Sequence, residues 1–165
     1  LLFVGSDSKE ILYVGWKGTL KKILHFFKIF TYSDKIKKII QKDDRIICIS
    51  TTNQVKSLFE QSYCTVVFPT IPHAIIPIAE AIYLGKPVLS AETPESLEYS
   101  NQGIGAKLFK INSIVEFQKE FIYMYNNEEI INKNAQLSSK HIQELFSKEK
   151  NSNKLNQLYN RILYS

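Results

Sequence analysis

Residues 64–91 read CTVVFPTIPHAIIPIAEAIYLGKPVLSA, and this stretch predicts the fold class of the chain. Residues 64–69 and 87–91 are short β-branched runs that are apolar on both faces, which is typical of strands buried in a parallel sheet. Between them, a helical pattern begins near Ile76 and ends at Gly85, a residue suited to helix C-termini. A strand, a crossover helix and a second strand therefore follow one another here.

The same alternation continues on both sides of this stretch. Further strands are predicted at residues 1–5, 28–32, 45–50 and 106–110, and crossover helices at 19–27, 34–42 and 53–61. Asp34, Asn53 and Asn112 stand at predicted N-cap positions. Residues 11–14 are either a short extra strand or a loop. We predict an α/β fold with a single Rossmann-like, doubly wound parallel sheet of about six strands.

The pattern becomes wholly helical after Ile111 and predicts three helices that cover the sheet. Their apolar positions are Ile114, Phe117, Phe121 and Met124, then Ile131, Ala135, Ile142, Leu145 and Phe146, then Leu155, Leu158 and Ile162. The polar run at 148–153 is predicted to separate the last two helices. The 165 residues are expected to form one domain, with the sheet and crossover helices in 1–111 and the C-terminal helices in 112–165.

Composition and charge restrict the function classes. Hydrophobic residues make up 44% and charged residues 22% of the chain, as in folded globular domains. The net charge is +5, and the first fifty residues carry ten basic against five acidic groups. No arginine-rich stripe or recognition motif accompanies this charge, so a nucleic-acid partner is not expected. No uninterrupted apolar run is long enough for a membrane span.

Several common catalytic and cofactor motifs are missing from the sequence. It contains no G-x-G-x-x-G after the first strand, no P-loop, no G-x-S-x-G and no D-x-D. The three histidines are far apart, so no metal site and no cofactor are expected. Cys48 and Cys64 each lie in a predicted strand and are expected to be reduced core thiols.

The segment after the strand at 64–69 holds the candidate binding residues, because ligands of doubly wound sheets bind beyond the carboxyl ends of the strands. His73 lies in the predicted loop, and the backbone N–H groups around Ala74, Ile75 and Ile76 begin the helix, where unsatisfied donors attract phosphate. Glu80 follows one turn later in an apolar helix. It either binds a ligand, pairs with a lysine or is solvated at the helix edge.

Taken together, these residues resemble the signature of family 4 glycosyltransferases of the two-Rossmann-domain (GT-B) type. The matching residues are Pro69-Thr70, Pro77, Glu80-Ala81 and Gly85-Lys86-Pro87-Val88, together with Trp16-Lys17-Gly18, Pro94-Glu95 and Asn134-Ala135. The resemblance covers essentially the whole chain in order. It implies the C-terminal, donor-binding domain of a retaining enzyme.

The resemblance assigns roles to individual residues. Glu80 would accept hydrogen bonds from ribose hydroxyls, and Lys17 would bind the diphosphate. The backbone N–H groups of Ala74, Ile75 and Ile76 would hold the same phosphates, with His73 as a further donor to phosphate or sugar. The sequence departs from the family pattern in three places: Pro72 replaces its first Glu, Ala74-Ile75 replaces its flexible Phe-Gly pair, and Ser6 and Asp7 follow the first strand where a basic residue is usual.

The function that the resemblance implies is transfer of a sugar from a nucleotide diphosphate to a glycan or lipid-linked acceptor, in surface polysaccharide or glycolipid synthesis. The acceptor site and catalytic histidine would lie in an N-terminal domain outside this chain, so the fragment alone is expected to be inactive. Two alternatives stay open. One is a degenerate, non-catalytic interaction domain, as Pro72 and Ser6 would allow, and the other is half of a sugar-nucleotide epimerase.

The resemblance also implies a cytoplasmic location. Six lysines in the first third of the chain are either a solvated helix face or a surface that contacts anionic lipid at the inner face of the plasma membrane. They are Lys21, Lys22, Lys35, Lys37, Lys38 and Lys42.

Overall fold

A computed structural model describes residues 2–4, 38–49, 52–69 and 75–163. The chain divides into two compact units, Leu1–Val55 and Lys56–Ser165. The predicted strand at 28–32, the predicted helix at 19–27, residues 11–14 and the predicted cap Asp34 lie outside the described residues.

The first unit contains a pair of parallel strands. β1 (Leu2–Val4) pairs with β2 (Ile47–Ile49), with Leu2 opposite Ile47. Residues 38–42 are helical, as predicted for the end of the segment at 34–42. In the turn before β2, the Arg45 guanidinium donates hydrogen bonds of 2.8 and 2.7 Å to the Asp43 carboxylate. These bonds lower the pKa of Asp43 to about 2.

The second unit is built on a parallel sheet of three strands. β3 (Thr65–Val67), β4 (Val88–Ala91) and β5 (Ala106–Phe109) lie in the order β3-β4-β5. α1 (Val55–Gln61) precedes β3, α2 (Ile76–Tyr83) connects β3 to β4, and α3 (Pro94–Tyr99) connects β4 to β5. These elements confirm the predicted strand-helix alternation. Because the described strands form one pair and one triplet, the count of six strands stays a prediction.

Three helices follow the sheet, as predicted: α4 (Ile114–Asn126), α5 (Glu128–Leu145) and α6 (Lys148–Leu163). The predicted break at 148–153 is wrong, because these residues form the first turns of α6. The chain turns instead at residues 146–147. The Ser147 hydroxyl accepts a 3.3 Å hydrogen bond from the Lys150 N–H and so caps the start of α6. The lysine and glutamate residues of the first turn favour helix, which explains why the polar run is helical.

One of the predicted N-caps is displaced by one position, and that of Asn53 stays a prediction. Asn112 has a φ of 63°, and the N-cap of α4 is Ser113, whose hydroxyl accepts from the Glu116 N–H. At α1, the side-chain bond near the helix start runs from the Gln54 N–H to the Thr52 hydroxyl and does not involve Asn53. At α4 the serine hydroxyl one residue after the predicted amide therefore satisfies a backbone donor of the first turn.

The core of the second unit has one cluster on each face of the sheet, because side chains alternate along a strand. Val88 and Ala106 pack with residues of α2, α3 and α5, including Ile78, Tyr99 and Ile142. On the other face, buried Leu89, Ala91 and Phe109 pack with Met124 of α4 and Ile131 of α5. Helices on both faces confirm the doubly wound arrangement for this unit.

The C-terminal helices cover the sheet unequally. α5 buries Ile131, Ala135 and Ile142, as predicted, whereas Phe146, its C-cap, is exposed and so departs from the prediction. In α4 only Met124 is buried, whereas Ile114 and Phe121 are exposed, which corrects their predicted core position. α6 buries none of its residues, so its predicted covering role is also wrong.

Candidate functional site

The beginning of α2 lies just past β3, on the carboxyl side of the parallel sheet. Ile75 is its N-cap and provides no side-chain hydrogen bond to the helix, and Pro77 stands in the first turn without an N–H. The first intrahelical bond runs from the Ile78 N–H to the Ile75 carbonyl, at 3.0 Å. Backbone donors at the start of α2 therefore have no side-chain cap from Ile75, as an anion site at a helix N-terminus requires.

Glu80 projects from the solvent side of α2. The helix buries Ile78, Ala79, Ala81 and Ile82 and exposes Ile76, Glu80 and Tyr83, which recur at intervals of four and three residues. The Glu80 carboxylate has no ion pair or hydrogen bond to any residue that the structure describes. Of the alternatives raised by the sequence, the lysine pair is not found in this part of the chain. The carboxylate is available to solvent or a ligand.

The C-terminal end of α2 is defined by a hydrogen-bonded turn. Gly85 has a φ of 68° and donates to the Ile82 carbonyl, while the Lys86 N–H donates to Ala81, both at 2.9 Å. This Schellman motif confirms the predicted helix end and leads directly into β4. α2 therefore has a defined position relative to the strand that follows it.

The neighbouring connection, from β4 to α3, places another carboxylate on the same side of the sheet. Thr93 and Ser96 form a reciprocal capping box: the Ser96 N–H donates to the Thr93 hydroxyl at 3.1 Å, and the Thr93 N–H donates to the Ser96 hydroxyl at 2.8 Å. Glu95 lies in the first turn of α3. Its Oε2 atom is enclosed and accepts no hydrogen bond from the residues that the structure describes.

A cavity of about 190 Å³ opens at the carboxyl ends of the three strands. Its walls are mainly apolar. The lining residues are Phe68, Pro69, Ala91, Phe109, Ile111, Asn112, Ser113, Ile114 and Phe117. The Phe68 ring lies 5.5 Å from Phe109 and 5.2 Å from Phe117, and Phe68 is 58% exposed. Sequence reasoning missed this cavity, although phenylalanines at the ends of two strands were a signal of it.

The predicted site residues fall into two groups. Ile75, Ile76 and Glu80 are brought together on the first turns of α2. The Ile75 side chain is buried, so this residue offers only backbone groups, whereas Ile76 is 46% exposed. Lys17, His73 and Ala74, like the departures Ser6 and Pro72, lie outside the described residues. Of the six lysines considered for lipid contact, Lys38 and Lys42 are described, and both are exposed.

Two other titratable side chains, those of Cys64 and His141, have surroundings that suit a structural role. Cys64 is a free, half-buried thiol, and burial raises its pKa to about 11, so it is protonated at neutral pH. His141 makes a 2.7 Å contact from Nε2 to the Glu98 carbonyl, which joins α5 to α3.

Among residues 2–4, 38–49, 52–69 and 75–163, no cluster of three potential metal ligands occurs. Within the same ranges, no helix has the length and apolar character of a membrane span.

Comparison with known proteins rests on structure. No protein-family model matches the chain, and no curated protein matches its sequence. A glycosyltransferase from Rickettsia africae superposes with a TM-score of 0.68 at 16% identity, covering 98% of this chain and 39% of its own. HepE from Anabaena, solved with UDP and glucose, gives 0.64 at 15% identity, covering 99% and 40%. Sucrose-phosphate synthase from Thermosynechococcus elongatus gives 0.67 at 16% identity, covering 99% and 38%.

This chain thus spans about two fifths of the length of each of these proteins. At such identities, the likeness establishes the fold. The chain shares the fold of a domain of these proteins, in agreement with the predicted Rossmann-like architecture.

Proposed function

We propose that this chain is the donor-binding domain of a glycosyltransferase and binds a nucleotide-diphosphate sugar at the beginning of α2. The observation that carries the proposal is Glu80, an exposed carboxylate without a described partner, one turn into a helix that begins beyond the carboxyl end of β3. An ionised carboxylate has two acceptor oxygens, which suit the two ribose hydroxyls. The N–H groups at the helix start suit the diphosphate.

The spacing along α2 matches a nucleoside diphosphate. Ile76 begins the helix and Glu80 lies four residues later, a rise of about 6 Å at 1.5 Å per residue. A ribose held by Glu80 would therefore leave its phosphates within reach of the Ile76 N–H, the first-turn donor that neither Pro77 nor the bond from Ile78 to Ile75 removes. The structural neighbours support the same general function, since HepE has been solved with UDP-glucose and with UDP.

The finer assignment follows the family resemblance of the sequence. We propose a retaining enzyme of family 4, in which this chain is the C-terminal domain and Lys17 and His73 add contacts to the diphosphate or sugar. Neither a metal nor another cofactor takes part. The acceptor, a glycan or lipid-linked sugar at the inner face of the plasma membrane, would bind to a domain beyond these 165 residues, so the isolated chain would bind the donor without transferring its sugar.

Titration calorimetry with UDP, GDP and UDP-glucose tests the proposal on the 165-residue chain. We expect binding of at least one of them, weakened about 10- to 100-fold in Glu80→Ala, because a hydrogen bond to a charged group contributes about 1.5–3 kcal/mol. Glu129→Ala is the matched control, since Glu129 is also an exposed helical glutamate but lies on α5. Its affinity should stay within twofold of wild type.

Two results would contradict the proposal. One is a folded chain, by circular dichroism and cooperative unfolding, that binds none of the three nucleotides at millimolar concentration. The other is equal weakening in Glu80→Ala and Glu129→Ala. The first result would favour the alternative of a non-catalytic interaction domain.

A further inference from the structure

The cavity at the carboxyl ends of β3, β4 and β5 has the size of a site for one small ring. Its volume is about 190 Å³. A cavity of about 150 Å³ admits one benzene molecule, so this one admits a single six-membered ring. Neither Glu80 nor Ile76 is among its lining residues, which distinguishes the cavity from the first turns of α2.

Three phenylalanine rings form the apolar wall of the cavity. Phe68 lies within 5.5 Å of the Phe109 and Phe117 rings, and 58% of it is exposed, so the wall is open to solvent. The planes of the three rings are inclined to one another by 60°, 46° and 77°. No two of them form a parallel-sided slot for a flat ring. Faces inclined in this way suit the C–H groups of a puckered ring, which point in several directions.

Two polar side chains of the turn between β5 and α4 line the same cavity. The Asn112 amide makes no hydrogen bond to a residue that the structure describes. The Ser113 hydroxyl accepts from the Glu116 N–H at 3.3 Å, and its own proton is not donated within the described part of the chain. A purely apolar occupant would take both groups from water without replacing their hydrogen bonds.

The electrostatic character of the lining also restricts the occupant. No charged side chain is among the described residues that line the cavity, so an ion bound there would lack a partner of opposite charge. The lining therefore suits a neutral ring that has C–H groups on one face and hydroxyls at its edge.

We propose that this cavity binds one neutral pyranose ring, with its C–H face against Phe68 and its hydroxyls at Asn112 and Ser113. A sugar hydroxyl both donates and accepts hydrogen bonds, as the asparagine amide does. The ring belongs either to the sugar of a nucleotide donor or to a sugar unit of a glycan acceptor, since the two have the same chemistry. Only the first source rests on the proposed function.

Saturation-transfer NMR tests the proposal on the 165-residue chain, with the methyl glycosides of glucose, galactose and N-acetylglucosamine as probes. We expect at least one of them to bind. Phe68→Ala should weaken its binding about 3- to 10-fold, because the aromatic contact is lost. Asn112→Gly should weaken it to a similar extent through loss of the amide, about 3- to 10-fold. Glycine is the suitable replacement because Asn112 has a φ of 63°.

Matched controls lie outside the cavity. Phe146→Ala removes a phenylalanine that is 50% exposed, and Asn101→Gly removes an asparagine with a φ of 55°. Neither residue lines the cavity, so both variants should bind the glycoside within about twofold of wild type. Circular dichroism and cooperative unfolding check that each variant retains its fold.

The UDP derivative of the sugar that binds distinguishes the two sources. If the ring belongs to the donor, a saturating UDP-sugar displaces the methyl glycoside, and Phe68→Ala weakens binding of the UDP-sugar but not of UDP. If the ring belongs to the acceptor, the glycoside binds together with the UDP-sugar. In either case Glu80→Ala should leave the affinity for the methyl glycoside unchanged. Failure of nucleotide binding would therefore contradict the proposed function without removing glycoside binding.

Three outcomes would overturn the proposal. One is a folded chain that binds none of the three glycosides at millimolar concentration and binds their UDP derivatives no differently from UDP. Another is equal weakening in the cavity variants and the controls. The third is equal weakening of UDP and UDP-sugar binding in Phe68→Ala, since the cavity would then hold the nucleobase.

Discussion

The hydroxyl of Ser139 donates a 2.8 Å hydrogen bond to the carbonyl oxygen of Tyr83 and so joins α5 to the last turn of α2. The carbonyls in the last turn of a helix lack intrahelical partners, and this side chain supplies one. Because α2 carries Glu80, the same bond helps to hold the candidate binding residue in place.

Replacing Ser139 with Ala should lower the free energy of unfolding by about 1 kcal/mol, the usual net contribution of one hydrogen bond. Urea denaturation measures this change. Ser152→Ala, on the exposed surface of α6, is the control and should change stability by less than about 0.5 kcal/mol. Equal stability of the two variants would show that the bond to Tyr83 contributes nothing.

Gly105, which directly precedes β5, packs so closely against α5 that a larger residue would not fit without a shift. A Cβ added there would lie 2.6 Å from the Ser138 Cβ, which is buried. Gly105→Ala should therefore destabilise the protein by about 1–3 kcal/mol through overpacking. The double variant with Ser138→Gly should recover part of this loss in thermal unfolding.

Gly103→Ala provides the contrast, because Gly103 has a φ of 85° and an added Cβ would lie 4.0 Å from the Leu108 Cδ1, which is an ordinary contact distance. Its cost of about 1 kcal/mol comes from backbone strain, so Ser138→Gly should not relieve it. If Ser138→Gly rescued both glycine variants equally, the proposed contact between positions 105 and 138 would be wrong.

The contribution of the α3 capping box to the free energy of unfolding should be measurable when one of its hydroxyls is deleted. Thr93→Ala removes the acceptor of the Ser96 N–H and should cost about 1 kcal/mol in denaturant unfolding. Thr93→Ser keeps the hydroxyl and should stay within a few tenths of a kcal/mol of wild type. A loss of the same size in both variants would indicate that the methyl group, not the cap, is responsible.

Cys64 should make stability fall in alkaline solution. Burial raises its pKa to about 11 from a reference value of 9.0, so the folded state holds this proton more tightly than the unfolded state. The contribution is complete below about pH 9 and is lost as the pH rises from about 9 to 11. Between pH 8 and 10, wild type should lose about 1 kcal/mol more than Cys64→Ala.

Urea denaturation of both proteins at pH 8 and 10 gives this difference, because the contributions of residues that do not interact with Cys64 are common to both proteins. Iodoacetamide should also react slowly with Cys64 at pH 8, because the thiolate is scarce. An identical pH dependence in the two proteins would contradict the assigned burial effect.

Much of the local structure was predictable from short patterns. The apolar runs at 1–5, 45–50, 64–69, 87–91 and 106–110 each contain a strand, because continuous β-branched runs suit a buried parallel sheet. Gly85 ended the predicted helix where its positive φ was needed. The cap of α4 was missed by one position because Asn112 and Ser113 are both good caps, and the choice depends on which backbone angle each adopts.

The candidate site was only partly predictable. Pattern placed Glu80 on a helix after a strand, but only the packed structure shows its carboxylate exposed and without a described partner. The cavity beside Phe68, Phe109 and Phe117 joins segments separated by many residues, so no local pattern could define it.

The sequence by itself determined the order of strands and helices, since periodicity, caps and turn residues act over a few neighbouring positions. The tertiary structure decided which apolar stripes are buried. The stripes of α5 and α6 have similar spacing, yet α5 buries Ile142 against the sheet while α6 leaves Leu158 and Ile162 exposed. Burial depends on which surface a helix meets after the chain has folded, and that surface is made by residues distant in sequence.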